Sequence, residues 1–195
     1  MRILVIFGLI CCTVLSACSD KLRSLDDKAI EVSSVNGEEI SYSRKITNSG
    51  IQFNIATGGL GDIRYLSIRS SKNGVLIAKI DDDIEGIVLE TLISDLNNNS
   101  KPEILLFLMQ DAYNSNLTIS GYEYDGKSFT RFDLPELEGD IAYGYYGKDH
   151  FYISGNMLIR EFPVNAVDTD SKRKVSYSLD KNLALKLHKV EELRN

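Results

Sequence analysis

Ile104-Leu105-Leu106-Phe107-Leu108-Met109 is six apolar residues without a break. A strand with one face in water alternates apolar and polar residues, so an unbroken run suits a central strand covered on both faces. Period two surrounds this run. Ile40, Tyr42 and Ile46 alternate with Ser41, Ser43 and Lys45, and Ile51, Phe53 and Ile55 repeat the pattern ahead of a Gly58-Gly59-Leu60-Gly61 turn. Val175, Tyr177 and Leu179 alternate with Ser176 and Ser178, and Leu183, Leu185 and Leu187 with Ala184, Lys186 and His188. Such runs at roughly 8–12-residue spacing favour a sandwich or barrel. Helical spacing is scarce, and only residues 22–30 and the last few residues suit short helices. The expectation is a single all-β antiparallel domain, a β-sandwich or β-barrel-like fold, over residues 31–195.

The chain has 195 residues, the length of one ordinary domain. Its 22 Lys and Arg against 28 Asp and Glu give a formal charge of -6, which argues against a nucleic-acid partner. At 43% hydrophobic and 26% charged it is too apolar to be a disordered tail. Cys11, Cys12 and Cys18, its 3 cysteines, all lie in the first eighteen residues. The body therefore holds neither a disulfide framework nor a thiolate metal site.

Met1 and Arg2 make a short positive region before the apolar run of residues 3–15. That run is too short to span a bilayer as a helix but suits the core of a secretory signal. Leu15-Ser16-Ala17-Cys18 follows and resembles the bacterial lipobox. The resemblance implies a signal peptide over residues 1–17, diacylglycerol and palmitate on Cys18, and a polar tether to residue 30. A plain signal peptide with a coincidental cysteine is the alternative. Cleavage before Cys18 removes one basic residue, Arg2, and no acid, turning -6 into -7. Two or three acyl chains anchor stably where one is marginal. Ser19 after the cysteine resembles an outer-membrane sorting signal, so the expected location is the cell envelope, on a face toward the periplasm or the surface.

The polar loops carry little catalytic machinery. Asp149-His150 has the makings of an oriented base, but no activated serine accompanies it, and a histidine opening a strand beside a turn aspartate explains it better. Ser171-Lys172-Arg173-Lys174 has the S-x-x-K spacing without its companion motifs and reads as a basic turn. In Asp95-Leu96-Asn97-Asn98-Asn99-Ser100-Lys101-Pro102-Glu103, the oxygens of Asp95, Asn97 and Asn99 alternate and Glu103 follows. This resembles the calcium loops of FG-GAP-type β repeats, with Asn99 in place of the third acid and Ser100 in place of the glycine. Weak calcium binding is one reading, and Asx turns linking two strands is the other. No other cofactor is expected.

The order of motifs after this loop is familiar. Pro102-Glu103 leads into the apolar strand, then a polar loop, then Gly121-Tyr122-Glu123-Tyr124-Asp125-Gly126-Lys127-Ser128. Leu134-Pro135-Glu136-Leu137, Tyr145-Tyr146-Gly147-Lys148-Asp149-His150-Phe151 and Leu158-Ile159-Arg160-Glu161-Phe162-Pro163 follow. Over roughly residues 85–180 this resembles the periplasmic inhibitors of invertebrate-type lysozyme and their lipoprotein relatives. The resemblance implies a non-enzymatic β-sandwich that blocks a secreted lysozyme by inserting a loop into its cleft. The corresponding loop here is residues 110–116, with Tyr113, Asn114 and Ser115 as the implied contacts. Tyr113 and Ser115 are present, but the family's Ser-Gly pair is not and the order differs. Two other readings stand beside it: an envelope scaffold or interaction lipoprotein, and a calcium-dependent adhesion module built on residues 95–103. Monomer and homodimer both stay open. Tyr143, Tyr145, Tyr146, Phe151 and Tyr152 read either as interface anchors or as core and cross-strand pairs.

Overall fold

The computed structural model describes residues 34–111, 116–164 and 171–194. These residues form thirteen strands in three antiparallel sheets, each a meander. The first sheet contains β1 (Ser34–Val35), β2 (Glu38–Asn48), β3 (Ile51–Gly58), β4 (Ile63–Lys72) and β5 (Val75–Glu85). The second contains β6 (Ile87–Ser94), β7 (Glu103–Asp111), β8 (Asn116–Tyr124) and β9 (Phe129–Asp133). The third contains β10 (His150–Ser154), β11 (Met157–Pro163), β12 (Ser171–Leu179) and β13 (Leu185–Arg194). Two-residue turns such as Asn36-Gly37 and Asn73-Gly74 join neighbours, both residues at positive φ, where Asn and Gly pay least.

The unbroken apolar run fixes how the sheets stack. Side chains alternate across a strand, so β7 has two apolar faces. Ile104, Leu106 and Leu108 join Tyr122 and Tyr124 of β8 against Phe53, Ile55, Leu66 and Ile68 of the first sheet. Leu105 and Phe107 join Ile119 and Phe132 against Leu158, Phe162, Val175 and Tyr177 of the third. The middle sheet is thus shared by two cores, and the sandwich has three layers. Tyr122 hydroxyl reaches across the first interface to donate to Asp82 Oδ2 at 2.9 Å, and Arg131 donates to the same oxygen at 3.0 Å. Gly121 is required on the opposite face, because a Cβ there would lie 2.2 Å from the Phe132 ring.

Several local expectations change. The last residues form strand β13 to Arg194 instead of a helix, and residues 171–174 open β12 instead of making a turn. Both changes have one cause. Arg173 lies across from Glu192 and Lys174 across from Glu191, with ion pairs at 2.6 and 3.8 Å, so the basic run and the acidic run complement each other as paired strands. Leu183 sits in the preceding turn at φ 59, Leu185 is buried and Leu187 is half exposed, and the register of the β12–β13 pair shifts just beyond Leu187. The residues 22–30 segment lies outside the described residues. No helix among the described residues is long and apolar enough to cross a membrane.

Candidate functional site

The β7–β8 pairing ends with Asp111 opposite Asn116, at one end of the middle sheet. Tyr113, Asn114 and Ser115 lie outside the described residues, as does Cys18. Leu117 N–H donates to Asp149 Oδ2 at 3.0 Å. That oxygen also accepts from Tyr145 hydroxyl at 2.6 Å, while Asp149 Oδ1 accepts from Arg160 Nε at 2.7 Å. Arg160 Nη2 donates to Tyr145 hydroxyl at 2.9 Å, closing a ring of contacts.

The network is dry. The Asp149 side chain is fully buried and that of Arg160 nearly so. A buried charge is tolerable only when paired and hydrogen-bonded, and every oxygen of Asp149 has a partner here. The Arg160 guanidinium also lies over the rings of Tyr145, Phe151 and Phe162 at 4.9–5.5 Å. Burial, and then the bond to Asp149, pushes the Tyr145 phenol up to about 12, so it stays a donor across the neutral range. Burial opposes the charge on Arg160, but the Asp149 carboxylate outweighs it and raises its pKa. Asp149 is therefore committed to structure. His150 opens β10 as an exposed residue, with its ring beside that of Tyr152 at 5.5 Å.

A groove of about 240 Å³ runs beside the hairpin foot, with Gln110, Asn116 and Leu117 on one wall and Pro135, Ala142 and Tyr145 on the other. The aromatic stretch divides. Tyr145 and Phe151 pack on the second core, whereas Tyr143 is 82% exposed. Tyr145 and Asp149, from residues 145–151, and Arg160, from residues 158–163, meet at this foot. Residue types alone do not reveal that meeting, since Asp149 reads as a turn residue until its distance to Arg160 is known.

The loop at residues 95–103 joins β6 to β7. Asp95 accepts from the N–H groups of Asn99 and Ser100, Asn97 Oδ1 from Asn99 N–H, and Asn99 Oδ1 from Lys101 N–H, all at 2.8–3.1 Å. Asn97 and Asn99 donate their amides to Glu123 Oε2 at 3.1 and 2.6 Å. Glu103 Oε2 accepts from Leu96 N–H at 2.7 Å, and its Oε1 is buried with no partner. Burial raises the Glu103 carboxyl to about 7, reinforced by the charges of Asp95 and Glu123 and opposed by Leu96 N–H. The side-chain oxygens of Asp95, Asn97 and Asn99, and one of the two on Glu103, thus accept from the loop's own backbone. Among the described residues no group of three or more His, Cys, Asp or Glu is placed to hold a metal ion. A wider groove of about 500 Å³ lies on the first sheet, between Val35, Tyr65, Ser67 and Asp81. Of its charged residues, Lys79 pairs with Asp81, and Asp82 accepts from Tyr122 and Arg131.

The chain matches no family model, no curated protein and no solved structure.

Proposed function

We propose that this chain is a lipid-anchored bacterial envelope protein that blocks the cleft of a secreted lysozyme with the loop at residues 110–116. The observation that carries the reading is the ring of Asp149, Arg160 and Tyr145 at the foot of that loop. A loop that must enter a cleft loses less entropy on binding when its base is already held, so a buried ion pair gripping Leu117 N–H is the support such an inhibitor needs. The three residues come from the stretches that resemble the lysozyme inhibitors. Charge supports it too. Residues 110–117 contain no basic side chain, and a mature charge of -7 would speed encounter with a basic enzyme. Acylation at Cys18 would hold the inhibitor in the envelope, beside the peptidoglycan the enzyme attacks.

Tyr113→Ala tests the loop assignment. An inhibitor should lose at least tenfold in potency at unchanged melting temperature, whereas a scaffold lipoprotein has no potency to lose. Equal inhibition by variant and wild type would remove the loop from the account.

A further inference from the structure

The outer face of the first sheet carries a groove that blockade of a lysozyme does not use. Tyr65, Ser67 and Arg69 alternate along β4, opposite Gly58, Ala56 and Asn54 of β3 and opposite Asp83, Asp81 and Lys79 of β5. Side chains alternate across a strand, and Leu66 and Ile68 between them face the first core, so these three rows face outward. Gly58 and Ala56 offer almost no side chain, which sinks the floor beside Ser67. β1 lies hard over β3, since Val35 is buried and a Cβ on Gly58 would lie 2.7 Å from Val35 carbonyl. Val35 and Asn36 therefore wall one side of the groove, and Lys79, Asp81 and Asp83 the other. Its volume of about 500 Å³ falls within the range of small-molecule sites, about 300–1,000 Å³.

The floor is left unfinished by the protein itself. Ser67 is only 3% exposed, and among the described residues neither its Oγ nor the buried Nε of Arg69 has a hydrogen-bond partner. Both lie within electrostatic reach of Asp81, but that carboxylate is committed to Lys79. Folded proteins seldom leave buried polar atoms unsatisfied, and a ligand is one way to complete them. The charges narrow its class. Arg69 and Lys79 stand against Asp81 and Asp83, two cations against two anions, while Asp82 is taken by Arg131 and Tyr122. An anion would meet carboxylates and a cation would meet basic groups, so neither gains a net attraction. A neutral ligand rich in hydroxyls fits, because each hydroxyl can accept from Arg69 Nε or Ser67 Oγ and donate to Asp81 or Asp83. Tyr65, 36% exposed, supplies an aromatic flank for the C–H face of a sugar ring. We infer that this groove binds a neutral saccharide, with Ser67 and Arg69 holding its hydroxyls and Tyr65 stacking against a ring. The inference is independent of the lysozyme reading, since none of these residues belongs to the hairpin foot.

The full chain, in a detergent without a sugar headgroup, is titrated by calorimetry with trisaccharides of glucose, of mannose and of N-acetylglucosamine, and with dialanine as a zwitterionic probe. At least one trisaccharide should bind saturably at a single site, and dialanine should not. Ser67→Ala should weaken that binding about three- to tenfold, the share of a single hydrogen bond. Its melting temperature should hold or rise, because the hydroxyl removed has no partner in the free protein. Tyr65→Ala should weaken binding about tenfold, and Tyr65→Phe should stay within about twofold of wild type, because the ring makes the contact. A cooperatively melting chain that binds none of the trisaccharides would overturn the inference. So would binding that either alanine variant leaves unchanged, or dialanine binding as tightly as the best saccharide.

Discussion

Glu103 gives the sharpest quantitative expectation. Its carboxyl is wholly enclosed, with one oxygen on Leu96 N–H and the other without a partner, and its pKa rises from 4.5 to about 7. A carboxyl raised in the folded state binds its proton more tightly there than in the unfolded chain. Its contribution is therefore fully present below pH 4.5 and is lost as pH rises toward 7. A shift of about 2.5 units at ~1.36 kcal/mol each makes the loss about 3 kcal/mol. Glu103→Gln carries no charge at any pH, so it removes this slope. The variant's own fixed cost, an amide N–H facing a site without an acceptor, does not change with pH and drops out of the comparison. Urea unfolding of both proteins from pH 4.5 to pH 8 measures the difference. Wild type should lose about 3 kcal/mol relative to the variant across that window, a relative shift in Tm of roughly 6–12 °C for a chain of this size. Parallel curves would refute the burial argument for Glu103.

Removing the Asp149 carboxylate by Asp149→Ala leaves Arg160 buried and unpaired, which should cost about 3–5 kcal/mol in urea unfolding and weaken lysozyme inhibition. A loss below about 1 kcal/mol would contradict the dry ion pair. Because residues 95–103 close on their own N–H groups, millimolar calcium should leave the melting temperature unchanged at pH 7.5. A concentration-dependent rise would mean the folded state binds the ion and would revive the calcium-module reading.

The layering was legible because it follows from chemistry along one strand. Residues 104–109 are apolar at every position, and only a strand sandwiched between two cores can bury both faces. Alternation placed β2, β3 and β12 correctly for the same reason. The third sheet's edge was less legible. Leu183 continues an alternating pattern but occupies a turn, and the acidic end of β13 reads as strand only once Arg173 and Lys174 are known to lie opposite it. The Asn36-Gly37 and Asn73-Gly74 pairs are local signals in the sequence, since each marks a tight hairpin. At the site, composition could point to a loop and an aromatic stretch. It could not pair Asp149 with Arg160, which the β10–β11 hairpin brings together, nor separate exposed Tyr143 from half-buried Tyr145, which depends on which way the backbone turns after Gly139.

Direct inhibition is the measurement that bears most closely on the central claim. The full chain in mild detergent is titrated into peptidoglycan hydrolysis by the three lysozyme classes, with its fold checked by a cooperative melt. Saturable inhibition of at least one class near equimolar protein is the predicted result. A folded chain that leaves all three enzymes at full rate would contradict it, and the hairpin foot would then be the brace of a scaffold.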